Sequence, residues 1–238
     1  MFLPPVKFRT MARAYTELDS MPCSIVDKLS EILKPAVCRI VFRSGTANGF
    51  LCVSKRGSTG DDDHYCLVTN NRAISDISIG SLKQYILDFY SVPNLREFRV
   101  AQEIIVSVWT GRFVDVTVIE IKQGMASRMM SEGARFLEMG PAVVGNNVLL
   151  MVGEKSFGYG KIWKINEYKL FHLGFTNPRN PSAPLVNMDG KVVGIENGSN
   201  SNECNEAVHL QSVLNLYLQQ KNLPLQSSRQ GFIELPKY

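Results

Sequence analysis

The sequence has no long apolar run and no recognisable targeting segment at its start. No stretch approaches the roughly 18 consecutive apolar residues that suggest a membrane-spanning helix. Residues 1–20 contain Pro4, Pro5 and mixed charges but lack the apolar centre of a secretory signal. These absences predict an intracellular protein, cytoplasmic or nuclear, with no membrane contact.

Patterns typical of metal or cofactor sites are also missing. The five cysteines make an odd count with no C-x-x-C pair and no zinc-like Cys/His spacing, which predicts reduced thiols in the core. A disulfide between Cys52 and Cys66, which flank a hairpin-like insert, stays open. The aspartates at 61–63 lack the alternation of a calcium loop, and the glycines of 153–160 match no phosphate-binding motif. We expect no metal and no cofactor.

A strong excess of one charge is absent as well. The chain has 26 Lys and Arg against 22 Asp and Glu, a formal net charge of +4, and the basic residues are spread along the sequence. This spread argues against a dedicated nucleic-acid surface. A nucleic-acid-binding adaptor that uses Lys7, Arg9 and Arg13 remains one alternative function.

Most of the sequence has residue patterns typical of β-strands. Ser24 begins a short predicted helix, with Asp27 as a partner resembling a capping box, and Pro35 ends it. From Ala36 onward, short runs rich in Val, Ile, Phe and Thr alternate with turn residues, as in an all-β barrel or sandwich. Strands are predicted at 36–42, 48–54, 64–70, 84–90, 96–107 and 113–121, and then at 143–152, 160–167, 169–175, 183–187, 191–197 and 206–210.

A segment without a strand pattern separates the two series of predicted strands. Residues 122–141 break the strand pattern, and a helix with apolar residues at helical spacing is predicted at about 212–221. The predicted organisation is an N-terminal arm (1–23), a first β-barrel with its leading helix (24–125), a connector (126–141), a second β-barrel with the C-terminal helix (142–222) and a tail (223–238).

Several motifs in this order resemble the trypsin/chymotrypsin-like serine proteases, in particular the intracellular HtrA-like members. Residues 44–50 (SGTANGF) are similar to the family's S-G-T-G-F strand. Residues 67–74 (LVTNNRAI) resemble the element that carries the catalytic histidine, and 113–119 (FVDVTVI) the element that carries the aspartate. Residues 175–197 resemble the nucleophile loop and following strand, and 206–213 the last strand. The resemblance implies two six-stranded antiparallel β-barrels, with a short N-terminal helix and a C-terminal helix.

The resemblance also implies that the catalytic machinery has been lost. A serine protease needs a hydroxyl, an imidazole, a carboxylate and oxyanion donors. Only the carboxylate, Asp115, is kept. Arg72 stands at the histidine position, and its guanidinium cannot act as a general base. We expect Arg72 to form an ion pair with Asp115.

Pro181 stands at the nucleophile position of the same pattern. It has neither a hydroxyl nor the backbone N–H that the family uses as an oxyanion donor. Arg179 replaces the glycine that supplies the other donor. Ser182 is a fallback nucleophile one residue later, but it is out of register with any base, and none of the three histidines aligns with the missing imidazole.

The chain is therefore expected to be a pseudoprotease, not an enzyme. Its expected role is a protein-binding or scaffolding module, with partners on the terminal arms or barrel edges, and a homodimer stays open. The rival of another class is an active hydrolase that uses Ser182 with a non-standard base.

Overall fold

The structure is a computed structural model that describes nine segments of the chain: residues 22–42, 45–55, 63–71, 86–99, 105–111, 114–151, 157–174, 182–199 and 204–222. Three α-helices lie within them, namely α1 (Cys23–Leu33), α2 (Gln123–Ser131) and α3 (Leu210–Asn222). None of these helices has the length and apolar character needed to cross a membrane.

The first half of the chain forms a curled sheet of eight strands. Its path runs β5-β4-β1-β2-β3-β7-β6, and β8 joins β2 in parallel. The strands are β1 (Val37–Phe42), β2 (Gly45–Ser54), β3 (His64–Thr69), β4 (Ile86–Phe89), β5 (Phe98–Arg99), β6 (Ile105–Gly111), β7 (Val116–Ile121) and β8 (Leu137–Glu138).

The second half forms a closed barrel of six antiparallel strands. Around the barrel the order is β10-β11-β14-β13-β12-β9. The strands are β9 (Asn147–Met151), β10 (Phe157–Ile165), β11 (Lys169–Gly174), β12 (Pro184–Asn187), β13 (Val192–Ser199) and β14 (Asn205–His209).

The predicted all-β, double-barrel architecture is confirmed, with two differences in detail. The single strand predicted at 96–107 is two strands, β5 and β6, and residues 100–104 lie outside the described segments. The predicted connector contains most of α2 and the short strand β8, which pairs with β2 and raises the first sheet to eight strands.

The helix α1 differs from its prediction at the N-terminus. It begins at Cys23 with Pro22 as its N-cap, and no side chain caps it. Ser24 lies inside the first turn, so the predicted capping box is wrong. The helix ends at Leu33, before Pro35, as expected for a residue without a backbone N–H.

The strand β7 shows how the two halves share a core. All six of its residues are buried, because successive side chains point to opposite faces and both faces are covered. Ile119 and Ile121 pack into the interior of the first half. Val116 and Val118 face a second cluster that includes residues of α1, the second barrel and α3, among them Leu29, Leu33, Leu149, Val186, Ile195, Val208, Val213 and Leu214.

Candidate functional site

The segments predicted to carry the three triad positions meet between the two halves. Thr69 ends β3, Asp115 precedes β7, and Ser182 precedes β12. The backbone N–H of Asn70 donates to Ser182 Oγ at 3.2 Å, and Asn70 Nδ2 donates to the Asp115 carbonyl oxygen at 3.0 Å. The same Nδ2 lies 3.3 Å from Asn197 Oδ1 on β13. Asn70 therefore links all three segments.

Three of the predicted site residues, Arg72, Arg179 and Pro181, lie outside the described residues. The ion pair between Arg72 and Asp115 consequently stays a prediction. Asp115 itself is described: it is partly buried and has a left-handed backbone with φ of 50°. Asp is among the few residues that adopt this conformation at low cost.

Ser182 is fully buried and has a φ of 77°, a conformation that favours glycine. Its hydroxyl accepts from Asn70 and lies 3.5 Å from the hydroxyl of Thr69, which itself donates to the carbonyl oxygen of Asn48 at 2.6 Å. The backbone N–H of Ser182 donates to the carbonyl oxygen of Glu196 at 3.0 Å. The hydroxyl and the backbone N–H of Ser182 are therefore both engaged with the protein.

Two amide oxygens at this site are buried without a hydrogen-bond partner among the described residues. They are Oδ1 of Asn70 and Oδ1 of Asn71, the two residues that precede Arg72. A buried acceptor without a donor is costly, by about 1 to 3 kcal/mol. The pair of oxygens therefore favours a donor-rich neighbour.

A buried, hydrogen-bonded pair of side chains, His172 and Glu196, adjoins the Ser182 segment. Glu196 donates its backbone N–H to the Ala183 carbonyl oxygen at 2.8 Å, and together with the bond from Ser182 this fixes the segment on β13. The Glu196 carboxylate lies 2.8 Å from His172 Nε2, and both side chains are almost completely buried. His172 Nδ1 has no partner among the described residues.

The chain's three histidines are all described, and each has a partner away from Ser182. His64 Nδ1 is 2.7 Å from Glu120, His172 is paired with Glu196, and His209 Nδ1 is 2.9 Å from the Ser212 hydroxyl. Burial lowers the pKa of His209. Among the described residues, no hydrogen bond joins any of these imidazoles to Ser182, so none of the three histidines is placed to activate its hydroxyl.

A cluster around Glu120 of β7 was missed by the sequence analysis. The Glu120 carboxylate accepts hydrogen bonds from Tyr217 and Lys221 of α3, from Ser107 of β6 at 2.9 Å and from His64 of β3. Burial alone would raise the pKa of Glu120, but these hydrogen bonds lower it to about 2. The signal in the sequence is one glutamate in an otherwise apolar strand, VTVIEI, since a buried charge needs partners.

The second contact of α3 with the first half is made by Trp109. Its indole Nε1 donates to Gln220 Oε1 at 2.8 Å, and its ring lies 6.2 Å from that of Tyr217. Trp109, Glu120 and Ser107 thus hold the last described helix on β6 and β7. We call this set of contacts the α3 clasp.

The cysteines are all free thiols. Cys52 and Cys66 stand directly opposite each other on β2 and β3 and are fully buried. Their mutual hydrogen bond and burial raise the pKa of Cys66, and burial raises that of Cys38. The prediction of thiols in the core holds for Cys38, Cys52 and Cys66, whereas Cys23 is exposed and Cys204 is only partly buried. Among the described residues, no group of three or more His, Cys, Asp or Glu side chains is placed to hold a metal ion.

Comparison with known proteins identifies the fold. No protein-family model matches the chain, and no curated protein matches it. It is similar to Rv3671c from M. tuberculosis H37Rv, a crystal structure of a serine-to-alanine mutant in an inactive form, with 15% identity and a TM-score of 0.57. The match covers 86% of this chain and 96% of that chain. The chain has a trypsin-like, double-barrel fold.

Proposed function

We propose that this chain is a catalytically inactive relative of the trypsin-like serine proteases, and that its two-barrel fold serves as a protein-binding or scaffolding module. The observation that carries the proposal is the state of Ser182, the only serine of residues 175–197. A nucleophile must reach a substrate, contact a base and stand beside free oxyanion donors.

Ser182 meets none of these requirements. Its side chain is fully buried, so a substrate carbonyl has no access to it. Its hydroxyl is hydrogen-bonded to Asn70 rather than to an imidazole. Its backbone N–H, which would be an oxyanion donor, is bound to Glu196 at 3.0 Å. Its positive φ is a conformation that glycine adopts most readily.

The two residues at the other catalytic positions support the same function. Arg72 stays charged at physiological pH, and Pro181 has no hydroxyl and no N–H. Loss of base and nucleophile together, with the barrels and their shared core retained, favours a role that depends on the surface of the fold.

The proposal is tested by incubating the full chain with a fluorophosphonate probe, with active trypsin as the positive control. The matched control is Ser182→Ala, which removes the fallback hydroxyl. We expect the labelling of the wild-type chain to equal that of Ser182→Ala, and hydrolysis of peptide and ester substrates to equal that of buffer. Labelling that maps to Ser182 and disappears in Ser182→Ala would overturn the proposal.

A further inference from the structure

An exposed turn begins the second barrel. The backbone N–H of Asn146 donates to the Val143 carbonyl oxygen at 3.1 Å, and Gly145 has a φ of 91°. A positive φ at the third position defines a type II turn, which places Val144 at its tip. Gly145 N–H donates to the Ile162 carbonyl oxygen at 2.8 Å, and Ile162 N–H donates to Asn146 at 2.9 Å. These bonds fix the turn beside β10.

The strand β10 is irregular at the same point. Its pairing with β11 shifts between Ile162 and Lys164, so Trp163 is the extra residue of a β-bulge. Two successive residues, Trp163 and Lys164, are consequently exposed after the buried Ile162. Because Gly145 pairs with Ile162, Val144 and Trp163 occupy neighbouring positions one residue further along.

The turn and the adjacent bulge expose three apolar side chains at neighbouring backbone positions. Five large apolar side chains are exposed among the described residues, and three of them are here: Val143 (47% exposed), Val144 (55%) and Trp163 (44%). The other two, Ile25 and Met130, lie separately on helices. Exposed apolar groups scattered singly are ordinary, whereas a contiguous group marks an interaction site.

The charged side chains within the turn and β10 are of one sign. Lys161 precedes the buried Ile162 and lies on the outer face of β10. Lys164 lies over the ring of Phe171, 5.9 Å from its centroid, and forms no ion pair with a described residue. Neither 139–151 nor 157–165 contains an acidic residue. We call Val143, Val144, Trp163, Lys161 and Lys164 the Trp163 patch.

The geometry and charge exclude several modes of binding. A partner cannot add a strand to this surface, because β10 is already paired with β9 and β11. The turn also binds both the backbone N–H and the carbonyl oxygen of Ile162. A second copy docked by two-fold symmetry would place lysines against lysines. A phosphate backbone would meet two lysines around three apolar side chains, an arrangement with little electrostatic gain.

We propose that the Trp163 patch docks an acidic amphipathic segment of another protein, whose apolar side chains cover Trp163 and Val144 and whose carboxylates pair with Lys161 and Lys164. This inference rests on the proposed protein-binding function and names its surface and partner chemistry. The segment presents side chains rather than a free strand edge, as an amphipathic helix does.

The test is a selection of displayed random 15-residue peptides on the full wild-type chain, followed by titration of the enriched peptides in solution. We expect enriched sequences to combine Leu, Phe or Trp with Asp or Glu. The two indole N–H signals of the chain report the site, because Trp109 is buried and bonded to Gln220 while Trp163 is exposed. Binding should shift the Trp163 signal and leave that of Trp109 in place.

Substitutions inside and outside the Trp163 patch test whether peptide binding depends on this patch. We expect Trp163→Ser and Val144→Ser each to weaken binding at least tenfold, with thermal stability as the check of folding. Lys161→Glu combined with Lys164→Glu should reverse the preference from acidic to basic peptides. Met130→Ser, which changes an equally exposed side chain on α2, should leave the affinity unchanged.

Other outcomes overturn the inference. They are a selection without an acidic apolar consensus, binding that Trp163→Ser leaves unchanged, a homodimer that Trp163→Ser dissociates, and single-stranded RNA or anionic vesicles competing for the Trp163 signal. If the selection enriches no peptide and the fluorophosphonate probe does not label the chain, the proposed binding surface is wrong but the inactive-protease function stands. Enrichment of acidic apolar peptides together with fluorophosphonate labelling of Ser182 would keep the binding surface but overturn the inactive-protease function.

Discussion

At the scale of single residues, the structure brings together the segments that carry the predicted catalytic positions. Asn70, Asp115 and Ser182 are joined by hydrogen bonds although they are far apart in the sequence. Ser182 has a backbone conformation that glycine adopts most readily, while its hydroxyl accepts a hydrogen bond from Asn70. Substitutions at this residue can therefore distinguish the cost of the backbone strain from the gain of the hydrogen bond.

Two substitutions at Ser182 should differ in stability for that reason. Ser182→Ala removes the acceptor for the Asn70 N–H and keeps the left-handed strain, so we expect a loss of about 1 to 3 kcal/mol. Ser182→Gly loses the same acceptor but relieves roughly 1 to 2 kcal/mol of strain. The Gly variant should therefore be the more stable of the two in urea unfolding. The reverse order would contradict the positive φ.

The predicted ion pair is best measured by a double-mutant cycle. Arg72→Met removes the cation, and Asp115→Asn removes the charge while keeping a residue that tolerates the left-handed backbone. If the two side chains are paired, the combined loss of unfolding free energy should differ from the sum of the single losses by at least about 0.5 kcal/mol. Additive losses would show that Arg72 has another partner.

At the scale of elements, the α3 clasp attaches a helix that follows the second barrel to strands of the first half. The sequence predicted this helix correctly, because its apolar spacing is local. It could not predict where the helix packs, since the Tyr217–Glu120 and Gln220–Trp109 contacts join residues 97 and 111 positions apart. A pattern within one strand shows that Glu120 needs partners, but it does not identify them.

The clasp should weaken in acid. Glu120 has a pKa of about 2 against its ordinary 4.5, so its contribution is complete above pH 4.5 and is lost as pH falls toward 2. The shift corresponds to roughly 3 kcal/mol. We expect the difference in unfolding free energy between wild type and Glu120→Gln to shrink by about this amount between pH 5 and pH 2. Tyr217→Phe, which keeps the carboxylate, should retain part of the dependence. A constant difference would exclude the low pKa.

At the scale of the whole molecule, the strand pattern predicted an all-β protein, and the motifs that resemble the trypsin-like proteases predicted the double-barrel fold. The extra strands could not be predicted, because β5 and β8 have two residues each and carry no periodic pattern. The closed second barrel was likewise implied by the resemblance. The shared core could not be predicted, since it depends on which faces of β7, α1 and α3 meet.

The shared core predicts that the halves unfold together. Residues of α1, both strand sets and α3 form one buried cluster, so separation of the halves would expose its whole apolar surface. We expect coincident urea transitions for Trp fluorescence and circular dichroism of the full chain. Residues 24–125 expressed alone should show no cooperative transition. Two separate transitions in the full chain would contradict a common core.

The α3 clasp also has a consequence for synthesis of the chain. Glu120 leaves the ribosome 101 residues before Lys221, the cation that neutralises it. At the usual 5–20 residues per second, this delay is roughly 5 to 20 seconds. During that time the first sheet carries a carboxylate at a position that must be buried, without its cationic partner. We therefore expect the N-terminal half to complete its folding only after α3 has been translated, so nascent chains stalled before Lys221 should be open to proteases and chaperones.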